Sequence, residues 1–313
     1  MGTVFLATLS PMLVLFCCIV IGFVLRKRSV LPETAGTVLS RLETYVLVPA
    51  LTINTFRRYC TVSSLQENYR YTLAAVAVLA AAFVIAMLLC RAFAKEGYRQ
   101  KIYAYALTFA NYGFMGNAIV PAILGEEVLY QYMMFTLPLN IGVYTWGIAS
   151  LIPRGESKEP WWKRLINPPF LAILIGALLG LTGANAYIPE FLSNTLSNCA
   201  ACMGPVAMIL TGFIVGGYRV KTLLGDYKVY IATLLRLVVL PLVFLAALHA
   251  VGAPKETLLF TLFAFGTPLG LNTVVFPAAY GGDTNTGASM AMISHTLCIV
   301  TIPLLYAVVV SLA

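Results

Sequence analysis

Charge is the scarcest property of this sequence. Lys and Arg number 20 and Asp and Glu 12 in 313 residues, so charged side chains make up 10% of the chain. An ordinary soluble domain carries about 25%. With 60% hydrophobic residues beside that scarcity, the chain is not a cytosolic enzyme, a nucleic-acid binder or a disordered segment. It reads as an integral membrane protein whose standing partner is the lipid bilayer. Chemistry-bearing motifs are missing as well. There is no G-x-x-x-x-G-K-[ST], so ATP is not the direct energy source. There is no G-x-S-x-G, no H-E-x-x-H and no pair of aspartates inside an apolar run, so neither a catalytic residue nor a metal ligand is expected. Cys17, Cys18, Cys60, Cys90, Cys199, Cys202 and Cys298 lie mostly inside apolar runs, as small packing residues. Cys199 and Cys202 form a CxxC with no second pair to complete a metal site.

Positive charge is also absent ahead of the first apolar run, where a cleavable signal would carry it. Val4 to Leu25 is apolar and Arg26-Lys27-Arg28 follows, which reads as a retained first span. Ten apolar segments are present: 4–25, 35–56, 71–91, 102–124, 128–151, 168–183, 190–217, 228–250, 257–280 and 285–312. The fold class expected is an all-α polytopic membrane protein. The longest connection, 152–167, is charged and holds Trp161-Trp162, a candidate interfacial pair. Counted loop by loop, fourteen Lys and Arg fall on one side, in the stretches around 26–28, 91–101, 154–164 and 219–228. Four fall on the other, Arg57, Arg58, Arg70 and Lys255. The first side is therefore the cytoplasmic one. That gives a multi-pass protein of the plasma (cytoplasmic or inner) membrane with both termini outside and Cys60 in an external loop.

The chain repeats itself. Pro49 and Pro205 are 156 residues apart, as are Pro121 and Pro277, and Gly125 and Gly281. Two halves are expected, 1–156 and 157–313, with five spans each. An odd number of spans inverts the second copy in the membrane, the plan of many secondary transporters, whose sites lie where broken helices from the two halves meet at mid-membrane.

The expected breaks are in spans four and nine. Span four contains Asn111-Tyr112-Gly113-Phe114-Met115-Gly116-Asn117 and then Pro121. Span nine contains Gly266-Thr267-Pro268-Leu269-Gly270-Leu271-Asn272-Thr273 and then Pro277. Glycine and proline disfavour a continuous helix, and unwound backbone at membrane depth survives only in protein or facing water. Asn111, Gly113, Gly116, Asn117, Thr267, Pro268, Asn272 and Thr273 are the candidate substrate-binding residues, with Pro121 and Pro277 as the helix breaks. Half-helix N-termini there would favour an anion. Span five adds Asn140, at the repeat position of Ser294-His295-Thr296 in span ten, so Asn140 is expected to share a cavity with His295. No nucleic-acid partner is expected.

These residues, with Tyr45-Val-Leu-Val-Pro-Ala50, Asn167-Pro-Pro169 and the run from Pro268 through Tyr280-Gly-Gly-Asp283 to Thr301-Ile-Pro303, resemble the auxin efflux carrier family in its compact prokaryotic form. The resemblance covers essentially the whole chain. It implies two inverted five-helix repeats with helices four and nine crossing, an elevator-type motion of a transport part against a scaffold, a homodimer, and organic-anion substrates such as malate, malonate or auxin-like acids. It maps the family's crossover asparagines onto Asn111 and Asn272. Ala118 stands where many members have proline. The long cytoplasmic loop of the plant carriers is absent, which weakens auxin itself as the cargo.

Charged groups inside spans are functional candidates. Glu43 is a candidate proton carrier. Arg236 either balances an anionic substrate or pairs with a carboxylate such as Glu43. His295 is a buried structural histidine or a coupling group. Asp283, at the cytoplasmic mouth, gates, binds a cation or caps span ten. The leading reading is a secondary active transporter of small organic anions, with H+ or Na+ as coupling ion and no other cofactor. The alternatives are a sodium-coupled symporter of the bile-acid type and a ligand-binding membrane sensor.

Overall fold

The computed structural model describes residues 2–95, 97–152, 163, 165–279 and 282–312. Trp161-Trp162, the pair Tyr280-Gly281 and the expected repeat boundary at 156 lie outside the described residues. Among the described residues the protein is helical throughout, with one isolated bridge between Ala110 and Leu269 and no strand.

The helices are α1 (Gly2–Lys27), α2 (Ala35–Leu42), α3 (Val48–Tyr59), α4 (Val62–Phe93), α5 (Tyr98–Thr108), α6 (Asn117–Leu124), α7 (Glu126–Gly142), α8 (Ile148–Leu151), α9 (Pro168–Leu181), α10 (Glu190–Gly216), α11 (Val220–Leu223), α12 (Tyr227–Leu234), α13 (Leu240–Ala250), α14 (Lys255–Phe265), α15 (Asn272–Ala279) and α16 (Asn285–Leu312). Five stretches are long and apolar enough to cross a membrane: Val4–Lys27, Val62–Phe93, Glu190–Gly216, Tyr227–Ala250 and Asn285–Ser311. Shorter apolar helices lie beside them, at Tyr112–Leu124 and Pro168–Leu181. The bounds follow the apolar runs within a few residues, except that α4 starts nine residues early. There Thr61 and Ser64 form a reciprocal capping box that lets the helix begin outside the apolar stretch.

Four of the apolar runs contain a widened π-helical turn, at Glu43–Leu47, Tyr112–Gly116, Val143–Gly147 and Leu235–Val239. Pro49 and Pro241 follow two of them. A proline ring collides with the carbonyl four residues back, here Tyr45 and Leu237, and both lie within the widened turns. The helix thus absorbs the proline without breaking.

Small residues allow the tightest packing. α1 runs along α10, and a Cβ on Gly22 would collide with the Ile209 carbonyl, while one on Gly212 would collide with the Ile19 carbonyl. The two backbones touch reciprocally at these glycines, as membrane helices do where small residues face each other. α3 packs on α9, and α4 on α5 and α7. Basic residues collect at one end of the bundle. There Lys27 donates to the Tyr218 carbonyl, Arg99 pairs with Asp226, and Lys228 donates to the Phe93 carbonyl.

Two residues placed at the opposite end are buried. Arg57 is 4% exposed at the end of α3 and donates to Asn54, Asn185 and Ser193. Cys60 is 1% exposed, and burial pushes its thiol pKa up. It is therefore closed to a reagent in solution, although it follows the helix end directly.

Candidate functional site

Two helices are interrupted, and their first pieces match in length: α5 and α14 have 11 residues each. The second pieces are Tyr112–Leu124, a π-helical turn running into α6, and the 8-residue α15. The interruptions are Phe109–Asn111 and Gly266–Leu271. They meet face to face. The Asn111 amide donates to the Pro268 carbonyl at 2.8 Å, within an antiparallel bridge of Ala110 and Leu269. Unwound backbone in an apolar interior needs partners. Ser294 of α16 supplies another: its Oγ accepts from the Leu269 amide at 3.1 Å and donates to the Met290 carbonyl at 2.6 Å.

Pro121 and Pro277 are not the breaks. Each sits inside a regular helix, α6 and α15, past the interruption. Each removes one N–H from a helix only two turns long, while the chain has already unwound before it.

A cavity of about 120 Å³ opens at the meeting point. The first break lines it with Ala110, Asn111, Tyr112, Gly113, Phe114 and Asn117, and the second with Gly270, Leu271 and Asn272. Thr44 and Thr52 face it from the second apolar run, Thr136, Asn140 and Tyr144 from the fifth, and Pro169 and Ile173 from α9. No charged side chain among the described residues lines it. The first turn of a helix leaves N–H groups without intrahelical partners. Both second pieces start at this space, one at Tyr112 and Gly113, the other at Leu271 and Asn272, so both present the positive end of a helix dipole.

Each asparagine is held differently. His295 Nδ1 lies 2.7 Å from the Ala291 carbonyl. A carbonyl only accepts, so Nδ1 carries the hydrogen and Nε2 is the acceptor. Nε2 then receives the Asn111 amide group at 3.1 Å. Asn272 donates to the Tyr105 hydroxyl at 2.8 Å. Asn140 Oδ1 accepts from the Tyr112 hydroxyl at 2.9 Å. Asn117 Oδ1 is buried with no hydrogen-bond partner among the described residues. Tyr132 lies behind the first break: its hydroxyl is 3.2 Å from both the Tyr112 and Phe263 carbonyls, and a Cβ on Gly116 would collide with it. A phenol buried in an apolar run must find such a partner. That was the available sequence signal for Tyr105, Tyr112 and Tyr132, which were not among the sequence candidates.

The remaining candidates separate from the cavity. Gly116, Thr267, Pro268 and Thr273 do not line it; Thr273 donates back to Gly270, and the Thr267 hydroxyl is buried without a partner among the described residues. His295 does not share the cavity with Asn140; it stands behind Asn111, against Phe16 and Ile19 of α1 and Thr211 and Val215 of α10. Glu43 and Arg236 are both fully buried and do not pair. Both Glu43 carboxylate oxygens lack a partner among the described residues. Arg236 lies 5.3 Å from the Phe265 ring centre, with Nη1 3.5 Å from the Leu107 carbonyl, beside the C-terminal ends of α14 and α5. Asp283 caps α16: it accepts from the Asn285 amide at 2.9 Å and the Thr286 hydroxyl at 2.8 Å.

Comparison with known proteins points to membrane transport. The model of a family described as membrane transport protein matches residues 7–306. A protein of Methanothermobacter thermautotrophicus named an uncharacterized transporter is 22% identical over 305 residues, covering 96% of this chain and 98% of its own length.

Proposed function

Since the chain belongs to the membrane transport protein family, that of the auxin efflux carriers, we propose that it is a secondary active transporter whose central cavity carries a small organic anion across the membrane. The family is one of transporters, not of enzymes, and the apolar helices make the chain a multi-pass membrane protein. The observation that carries the finer reading is the cavity at the crossing of the two breaks. It offers amides, hydroxyls and two helix N-termini, with no carboxylate to repel an anion. Its size suits a small mono- or dicarboxylate such as malonate or malate.

The matched first pieces and the antiparallel contact of the breaks support two inverted repeats, 1–156 and 157–313, of five spans each. The clustering of basic side chains at one end supports a cytoplasmic location for that end, with both termini outside. Alternating access is an elevator-type movement of the crossing helices against a scaffold, in a homodimer. The driving ion is H+ or Na+. Glu43 and His295 are the groups through which a proton would act.

The test is uptake into proteoliposomes of labelled malonate, malate, acetate and an indole-carboxylate under imposed proton and sodium gradients. Saturable flux of at least one acid is expected, lost in Asn111→Ala. Absence of flux or exchange for every acid, in protein shown to be folded, would falsify the anion reading.

A further inference from the structure

The cavity presents a polarity problem. A carboxylate accepts hydrogen bonds, so it needs donors. One N–H of the Asn111 amide is given to His295 Nε2, and one of the Asn272 amide to Tyr105. Both residues therefore turn their amide oxygens away from those bonds, as acceptors. Asn117 adds a buried, unpartnered amide oxygen at the cavity wall. No lining side chain among the described residues carries positive charge to offset the anion. In this arrangement the site has donors but no counter-charge for a carboxylate, and its amide oxygens oppose one.

One proton supplies the missing charge and turns away one of those amide oxygens. The His295 ring has one hydrogen, fixed on Nδ1 by the Ala291 carbonyl. A second proton can only go to Nε2, which then becomes a donor facing the Asn111 amide group, itself a donor. That contact is repulsive and is relieved when the Asn111 amide turns over. Oδ1 then accepts from Nε2, and the Asn111 amide group becomes free to donate into the cavity. The imidazolium also places one positive charge immediately behind the carboxylate.

Resting on the anion-transport reading above, we propose that His295 is the proton-binding site of this protein and acts by turning the Asn111 amide, so that a carboxylate and a proton are bound together. The proton comes from the same side as the anion and leaves with it. A monocarboxylate therefore crosses without net charge. His295 is a positioning residue: it does not line the cavity and reaches the anion only through Asn111.

Of the two proton candidates, Glu43 and His295, it is His295 that hydrogen-bonds Asn111, whereas the Glu43 carboxylate oxygens have no partner among the described residues. The side chains facing His295 are Phe16 and Ile19 of α1 and Thr211 and Val215 of α10, and none titrates. On its own helix the Cys298 thiol donates to the His295 carbonyl at 3.1 Å and lies beside Met115. The buried cation on the π-helical turn packed against α16 is Arg236, held at the Phe265 ring and the Leu107 carbonyl.

Two measurements decide the proposal. The first is malonate uptake into proteoliposomes between pH 5.5 and 8, for wild type and His295→Gln. A glutamine turns freely to present either a donor or an acceptor to Asn111 and takes no proton. Wild-type affinity should fall up to about tenfold per pH unit on the alkaline side, as one co-bound proton requires. His295→Gln should keep exchange and lose most of that pH dependence. Equal pH profiles for the two proteins overturn the proposal.

The second measurement needs no transport and still decides if His295→Gln fails to fold. In a His249→Gln background His295 is the one histidine left, and its ring nitrogens are read by ¹⁵N NMR. The expected result is a neutral ring with hydrogen on Nδ1 at pH 8, which takes up a proton when malonate saturates the site. A ring that stays neutral at saturation overturns the proposal. If no acid is carried or bound, the transport reading fails separately. Acidification alone must then turn the Asn111 side-chain amide, and an unmoved amide signal beside a protonated ring overturns the switch itself.

Discussion

The two breaks have the same architecture and opposite means of support. Each follows an 11-residue helix. Asn272 opens the second piece at one break, and Asn117 opens α6 after the π-helical turn at the other. The first break is short and opens into a π-helical turn with Gly113 and Gly116. The second is longer and runs through Gly266, Pro268 and Gly270. The first carries an additional asparagine, Asn111, tied to α16 through His295. The second carries none at the matching place and has its backbone satisfied by Ser294 of the same α16. One helix thus serves both breaks, with a titratable side chain for one and a hydroxyl for the other. The second break is therefore built to hold its shape, while the first, on the proposed function, holds the ligand.

The largest effect should come from Asn111. It is 3% exposed, lines the cavity, and links the two breaks through its own amide. Asn111→Ala keeps the backbone bond to Pro268 and removes only the side chain. A hydrogen bond to a charged group is worth about 1.5–3 kcal/mol, so malonate affinity should fall by about 10–100-fold. The thermal midpoint should fall as well, because the buried His295 Nε2 loses its Asn111 donor. Unchanged affinity would transfer the binding role to the second break and reverse the comparison.

Asn272→Ala should come next. It leaves the buried Tyr105 hydroxyl without its partner, at a cost of about 1–3 kcal/mol. Thermal stability should drop as well as affinity. Tyr105→Phe, which removes the hydroxyl and frees Asn272, should recover part of the stability lost in the double variant Asn272→Ala/Tyr105→Phe relative to Asn272→Ala. Additive losses in that cycle would mean the pair is not coupled. Asn117→Ala isolates the contrast, because Asn117 makes no bond from its amide oxygen to lose. Its melting midpoint should equal that of wild type, and its affinity should weaken by only a few-fold. A stability loss matching that of Asn272→Ala would show that the two positions are equivalent after all.

How much of this could be read in the sequence depends on the range of the interaction. The apolar runs are local and gave the helix bounds closely; only the Thr61–Ser64 cap moved an edge far, because it lies outside hydrophobic pattern. Asn111 and Asn272 stood out because amides beside glycine in an apolar run have no local use. Tyr105 did not, since its partner is 167 residues away, and phenols are common in membrane helices. Ser294 was visible only as the neighbour of His295, and its role as a backbone support depends on Leu269, 25 residues away. The four π-helical turns were not legible, because they answer packing and proline position together. Glu43 and Arg236 looked like a pair from charge alone. Their separation follows from where the π-helical turns Glu43–Leu47 and Leu235–Val239 pack, which no spacing in the chain records.

The smallest effect is expected at the prolines, which the sequence marks most loudly. Pro121 and Pro277 recur at one offset, and each denies its helix one N–H, opposite the carbonyls of Asn117 and Thr273. Yet unwinding is complete before either is reached, at Asn111 and at Leu271. What holds the chain open there is the Asn111–Pro268 bond and Ser294, neither of which a proline side chain touches. Replacing each proline by alanine should therefore let one more intrahelical bond form and raise the melting midpoint slightly, by about 1–3 °C. Malonate flux should stay within about twofold of wild type, the change expected from well under 1 kcal/mol. A tenfold loss of flux in Pro121→Ala with none in Pro277→Ala would mean that the first break depends on its proline and the second does not. The contrast between a ligand-holding break and a shape-holding one would then rest on helix flexibility instead of on the asparagines.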